Sequence, residues 1–140
     1  MRDLDRISRT WGSPNHSCAP CVLIVEDEPF IALDLEQTFA ALNVAVRIVE
    51  SVGEALACPL ESFDVAILDI DVDGEEAWPV ADWLKAKGKP YILSSGLCAD
   101  PGRIAPAHGD APRLAKPVAA RQVAQLALET LSGQPQGGIG

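Results

Sequence analysis

The sequence predicts a doubly wound α/β fold, a parallel sheet with helices on both faces. Three observations carry this. Short strand-like segments recur at Cys21–Val25, Ala45–Val49, Val65–Asp69 and Tyr91–Ser95, the first a continuous apolar run as expected of a strand buried on both faces. Segments of helical period separate them, entered at Pro29 or Pro79 and stopped at Gly88, which are good positions for those residues. The length, 140 residues, suits one domain with a proper core and is short for two.

In chain order, residues 1–20 hold Gly12, Ser13, Pro14, Asn15 and Pro20 with no sustained period, and read as a flexible arm. The folded domain is expected over 21–132. After the first strand, Ile31, Leu35, Phe39 and Leu42 keep helical spacing up to Asn43. The second strand follows at Ala45. Ser51 is placed to cap a short helix with Val52, Ala55 and Leu56, which Pro59 ends. The third strand, Val65-Ala-Ile-Leu-Asp69, runs into an acidic loop, Asp71-Val-Asp-Gly-Glu75. Val80, Trp83 and Leu84 share a face of the next helix. Tyr91–Ser95 is the fourth strand and Arg113–Ala115 a short fifth.

Between them, Pro101, Pro106 and Pro112 with Gly96, Gly102 and Gly109 are hostile to a regular fourth helix, so an irregular region is expected where that helix would stand. The last helix carries Val123, Leu126, Ala127, Thr130 and Leu131 at i, i+3, i+4, i+7 and i+8. Residues 133–140 read as a flexible tail. Strands alternating with helices imply right-handed crossovers. Five strands fit the flavodoxin-like order 2-1-3-4-5, whose ligand site lies beyond the carboxyl ends of the strands, between the first and third.

Composition narrows the function. The formal net charge is −9, from 20 acidic and 11 basic residues. That disfavours nucleic acid and anionic lipid as partners, since both are polyanions. No helix-turn-helix segment is left over for DNA. No apolar run approaches the roughly 18 residues that cross a bilayer. Met1 to Thr10 lacks the apolar centre of a signal peptide, so a cytoplasmic location is expected. Cys18-Ala-Pro-Cys21 has the spacing of a redox pair or half a zinc site. No second ligand pair accompanies it and Cys21 opens a strand, so reduced thiols are the reading.

The residues at the strand ends carry the chemistry. Glu26, Asp27 and Glu28 follow the first strand, Asp69 ends the third with Asp71 and Asp73 beyond, Ser94 and Ser95 end the fourth, and Lys116-Pro117 follows the fifth. Clustered carboxylates repel one another and recruit a cation. A hard ion such as Mg²⁺ takes one or two carboxylates plus phosphate and water. An aspartate can then attack phosphorus to form an acyl phosphate. A lysine and a hydroxyl can neutralise the phosphoryl oxygens, and in-line phosphoryl transfer asks for little more than this positioning and charge.

The chain resembles the receiver domains of bacterial response regulators through VLIVEDEP at 22–29, DVAILDI at 64–70, PYILSSG at 90–96 and LAKPV at 114–118. The resemblance implies Asp69 as phosphoacceptor, Asp27 and Asp69 as direct Mg²⁺ ligands, and Glu26 acting through water. It further implies the Asp71 backbone carbonyl as third protein ligand, Ser95 as switch hydroxyl and Lys116 as partner of the phosphoryl group. It implies a cis Lys116-Pro117 bond and a sensor histidine kinase or histidine phosphotransfer protein as donor. A downstream protein partner would read the signal, with no output domain in this chain. Two departures stand out. Arg113 occupies the position three before the lysine, where the family commonly carries an aromatic switch. Ser-Gly-Leu at 95–97 is similar to a stand-alone receiver subgroup without that aromatic. Asp71 is also unusual, and its replacement by Asn is expected to change the dephosphorylation rate.

Rival readings fit less well. Asp69-Ile-Asp-Val-Asp-Gly74 begins like an EF-hand loop, but the twelfth position is Val80 and a strand precedes it. Asp69-Ile-Asp71 matches the nucleophile pair of haloacid-dehalogenase-like phosphatases, yet a complete βαβ unit with its own acidic pair precedes it. A phosphorylation-independent binding module would require the acidic pair, acceptor and lysine to coincide without purpose. Trp83 is expected in the core, Trp78 in packing at a helix entry, and Trp11 in the arm. His16 and His108 lie in Pro/Gly-rich segments and are expected to be without partners.

Overall fold

The computed structural model describes residues 20–133. The residue 1–19 part of the expected arm and residues 134–140 of the expected tail, with Trp11, His16 and Cys18, lie outside that range. Five strands, β1 (Cys21–Val25), β2 (Ala45–Val49), β3 (Val65–Leu68), β4 (Tyr91–Ser95) and β5 (Arg113–Ala115), form one parallel sheet in the order β2-β1-β3-β4-β5. Register is continuous across it: Val25 pairs with Val49 and Leu68, and Leu93 with Leu68 and Arg113. The expected sheet order holds. The Lys116–Pro117 peptide bond is cis.

The strands alternate their buried side chains between two cores. Leu23, Val25, Ala66, Leu68 and Leu93 face one core, with Val80, Ala81 and Leu84 of helix α3 (Trp78–Ala86) and Phe63. Val22, Ile24, Val65, Ile67 and Ile92 face the other. There they meet Leu35 and Phe39 of α1 (Pro29–Ala41), and Val123, Ala124 and Ala127 of α4 (Ala120–Ser132). A fully buried side chain such as Phe39 contributes roughly 1.5–3 kcal/mol, so these double-sided strands hold the domain together.

Helix ends follow local chemistry. Ser51 caps α2 (Val52–Leu56) by accepting the Glu54 N–H at 3.1 Å. The apolar stripe of α1 ends one residue early: Leu42 is the cap and is 51% exposed, while Ala32 takes an inward place. Asn43 then reverses the chain at φ 63°, a left-handed conformation that Asn tolerates. Trp83 is half-buried rather than enclosed, with its ring 6.5 Å from that of Phe63.

Two regions depart from the expected pattern. The acidic loop after β3 is a small hairpin, Asp71–Val72 paired with Glu75–Glu76. Asp73 and Gly74 form its turn, with φ of 52° and 80°. Two successive positive φ values suit an Asp-Gly turn between antiparallel arms. The expected irregular region between β4 and β5 is three short 3₁₀ turns, Gly96–Ala99, Pro101–Arg103 and Pro106–His108.

Candidate functional site

The carboxyl ends of β1 and β3 are neighbours, and the side chains just beyond them meet. Glu26 N–H donates to Val49 O (3.0 Å) and Asp69 N–H to Val25 O (3.1 Å). Sheet hydrogen bonding therefore sets both acidic residues in register. Glu26, Asp27 and Asp69 each bring a carboxylate oxygen within 4.8 Å of the others.

Lys116, one residue past β5, reaches into this group. Its Nζ donates to Glu26 Oε1 at 2.7 Å and to Asp69 Oδ2 at 3.1 Å. The remaining carboxylate oxygens are also oriented. Glu28 N–H donates to Glu26 Oε2 (3.1 Å) and Asp71 N–H to Asp69 Oδ1 (3.2 Å). Across the site, Asp73 N–H donates to Asp27 Oδ2 at 2.9 Å. The hairpin turn thus ties down the most open carboxylate.

Burial divides the roles. Glu26 is 4% exposed and Asp69 9%, whereas Asp27 and Asp71 are exposed. Burial raises the Glu26 carboxyl above its ordinary pKa, against the pull of the Lys116 hydrogen bond and charge. Burial by itself would lower the Lys116 ammonium. Its hydrogen bond to Glu26 and the charges of Asp69 and Glu26 outweigh that and raise it. Lysine is therefore held firmly as a cation where negative charge collects.

Three carboxylates share this spot with one ammonium, so charge is left over for a cation. The donors are all oxygen and one face is open, which fits Mg²⁺ with its preference for few protein ligands and several waters or phosphate oxygens. Ser95 stands apart from the ion pairs. Its backbone carbonyl accepts Lys116 N–H at 3.1 Å, and its buried Oγ accepts Leu97 N–H at 3.2 Å. Among the described residues its hydroxyl makes no hydrogen bond to Asp69 or Lys116. Beside Lys116, a cavity of about 420 Å³ opens between α1 and the start of α4, lined by Ile31, Leu35, Ser94, Pro117, Val118 and Val123 among others. Phe30, at the entry of α1, is 81% exposed.

The expectation that His108 has no partner is overturned. Its ring is 1% exposed and both nitrogens are engaged, Nδ1 with the Tyr91 hydroxyl and Nε2 with Asp82 Oδ1. Trp78, expected in packing, stacks on this ring. The hairpin turn was also missed as a site element, although Asp73-Gly74 is a recognised two-residue turn signal. Cys21, Cys58 and Cys98 are free thiols.

A doubly wound sheet whose switch point gathers three carboxylates and a lysine defines a receiver-like signalling domain. The comparisons agree. A solution structure of SdrG from Sphingomonas melonis Fr1 is 35% identical, over 81% of this chain and 97% of that one, with a TM-score of 0.65. A CheY-like response regulator receiver domain protein from Methanospirillum hungatei JF-1 is 25% identical over 83% and 96%, with a TM-score of 0.71. A response regulator receiver protein from Sinorhizobium medicae WSM419, 24% identical over 84% and 98%, shares the fold with a TM-score of 0.69. No family model matches the chain, and no curated protein matches it. The chain belongs to the receiver domain family of response regulators. That fold supports a role in two-component signalling. Among the described residues no helix is long and apolar enough to cross a membrane.

Proposed function

We propose that this receiver, the domain over 21–132, accepts a phosphoryl group on Asp69 from a phosphohistidine and signals by protein–protein contact in the cytoplasm. The observation that carries the reading is the placement of Lys116 Nζ between Glu26 and Asp69, with an open acidic face beside it. Asp27 and Asp69, with the Asp71 backbone carbonyl and with Glu26 through water, would hold Mg²⁺, which when bound supplies positive charge against the phosphoryl oxygens.

The chain's own residues do the rest. A carboxylate oxygen of Asp69 attacks phosphorus in line. The P–N bond to the donor imidazole breaks, its electron pair returns to nitrogen, and that nitrogen takes a proton from water. Lys116, already a cation and already at Asp69, turns to the arriving oxygens, while the Ser95 hydroxyl is free to donate its proton to one of them. The sensor kinase or phosphotransfer protein needs a surface within reach of Asp69. Exposed Phe30 and the apolar cavity beside Lys116 offer one, since exposed aromatic surface next to a pocket is what protein partners use.

Intact-protein mass after incubation with acetyl phosphate and Mg²⁺ tests this, for the wild type and Asp69→Asn. One phosphoryl adduct is expected on the wild type, absent from the variant and from a sample with Mg²⁺ chelated. Steady phosphate release without an adduct would support a phosphatase instead. Neither adduct nor turnover, with a cognate kinase also failing to label the chain, would leave a binding module.

A further inference from the structure

The segment from Gly96 to Pro112 stands where a helix would connect β4 to β5. Its three 3₁₀ turns are each three or four residues long. So short a turn satisfies few of its own backbone groups, and the segment depends on what lies around it. That support is unequal along its length.

The distal part, residues 104–112, is bound from several sides. Trp78, Asp82 and Lys85 recur at i, i+4 and i+7 and so share one face of α3, and all three engage this part. The His108 ring stacks on Trp78, with centroids 5.4 Å apart and planes at 11°. Asp82 Oδ1 lies 2.7 Å from His108 Nε2, and Lys85 Nζ donates to Ala107 O at 2.6 Å. From β4, the Tyr91 hydroxyl meets His108 Nδ1 at 2.5 Å and its ring meets the imidazole edge-on at 74°. With Nε2–H donating to Asp82 and the Tyr91 O–H donating to Nδ1, both ring nitrogens are satisfied. From β5, Arg113 donates to Gly109 O at 3.0 Å and Ala111 O at 3.1 Å. Arg113 thus uses the position of the family's switch aromatic to fasten this segment.

The proximal part, residues 96–103, packs on β4 and β5 at its first turn but has far fewer side-chain hydrogen bonds to other elements. Ser95 Oγ accepts Leu97 N–H, Asp100 caps Gly102, and Leu97 and Cys98 are half-buried against the core. Its ion pair to another element is Arg103 with Glu76 of the hairpin, at 3.8 Å, with both side chains about half exposed. A pair so open to water contributes little.

We propose that His108, clamped by Trp78, Asp82 and Tyr91, is a lock that divides this segment. It fastens 104–112 to α3 and β4, so that rearrangement starting at Ser95 is confined to 96–103 and the facing hairpin arm Glu75–Glu76. Those residues then form the surface that changes with phosphorylation. This rests on the proposed phosphoacceptor role of Asp69.

Hydrogen exchange by mass spectrometry on the full chain tests it, with and without acetyl phosphate and Mg²⁺, the adduct being read on the same samples. In the phosphorylated wild type, altered exchange is expected in 96–103 while 105–111 stays protected. His108→Leu keeps an apolar plug but removes two hydrogen bonds, and should speed exchange of 105–111 roughly tenfold or more, with β1 and β3 unchanged. His108→Gln, able to keep one bond, should fall between. Asp82→Asn, on the open side of the trio, serves if His108→Leu fails to fold. The lock is refuted if 105–111 loosens with 96–103 in the phosphorylated wild type, or if the variants leave 105–111 protected or loosen the whole sheet equally. Absence of an adduct, with a cognate kinase also failing to label the chain, overturns the phosphoacceptor reading, and exchange of 105–111 in the unphosphorylated variants still decides the lock.

Discussion

Replacing Lys116 by Met removes the ammonium from the acidic site while keeping an unbranched apolar stem of similar length. Lys116 Nζ lies 2.7 Å from Glu26 Oε1 and 3.1 Å from Asp69 Oδ2. At an effective dielectric of about 20, those separations correspond to direct attractions of roughly 6 and 5 kcal/mol. Much of this offsets the desolvation of the three groups. Removing one partner of a buried pair typically costs about 3–5 kcal/mol, because the other charge stays buried and unpaired. Lys116 keeps 18% of its side chain open to water against 4% for Glu26, so screening brings the expected loss to roughly 2–4 kcal/mol at pH 7.

Urea unfolding in the absence of Mg²⁺ would measure this loss. The sign of its pH dependence follows from Glu26. Burial already raises the Glu26 carboxyl, and Lys116 is what pulls it back. Without Lys116 the folded-state pKa rises further above the unfolded value. A group raised on folding favours the folded state below its unfolded pKa, and that advantage is lost as pH rises through the folded pKa. The gap between Lys116→Met and wild type should therefore be largest at neutral pH and shrink as the acid range is entered. A variant as stable as wild type at pH 7, or a gap that widens on acidification, would refute this account of the site.

Three further outcomes follow from named contacts. Tyr91 is the one tyrosine in the chain, and burial first, then the Asp82 charge, raises it above its ordinary value of 10.0. Absorbance titration should find it high, Asp82→Asn should move it down, and stability should fall as pH rises through that transition. Gly74 has φ 80° and open space around a would-be Cβ, so Gly74→Ala should cost only about 1 kcal/mol of backbone strain in urea unfolding. By disturbing the Asp73 N–H that holds Asp27, the same change should weaken Mg²⁺ binding several-fold, read as tryptophan fluorescence against Mg²⁺ concentration. Phe30→Ala should slow phosphotransfer from a histidine kinase while leaving labelling by acetyl phosphate unchanged; equal rates from the kinase would remove Phe30 from the docking surface.

Much of this molecule could be read along the chain. A strand covered on both faces must be largely apolar, and Cys21–Val25 and Val65–Leu68 are so throughout, as Tyr91–Leu93 is before the two serines that end its strand. The site residues follow from the same topology, because parallel strands deliver their carboxyl ends to one edge. Glu26 and Asp27 after β1, Asp69 after β3 and Lys116 after β5 are adjacent to their strands in sequence and therefore easy to place. The poor helix composition of 96–112 also foretold that no regular helix forms there, though not the 3₁₀ turns that take its place.

Contacts between side chains far apart in the chain were another matter. Lys116 and Glu26 are separated by 90 positions, and nothing local says that both oxygens of Glu26 are occupied. Ser95 could be placed at the strand end, but its orientation toward Leu97 N–H was set by the turn that follows. His108 shows the limit best. Its partners Tyr91 and Asp82 lie 17 and 26 positions away, on a strand and on a helix. A residue's exclusion from water recurs with the period of its element and so leaves a pattern in the sequence. Which polar atom it meets depends on loop closure and packing of separate elements, which leave none, and only the folded chain decides it.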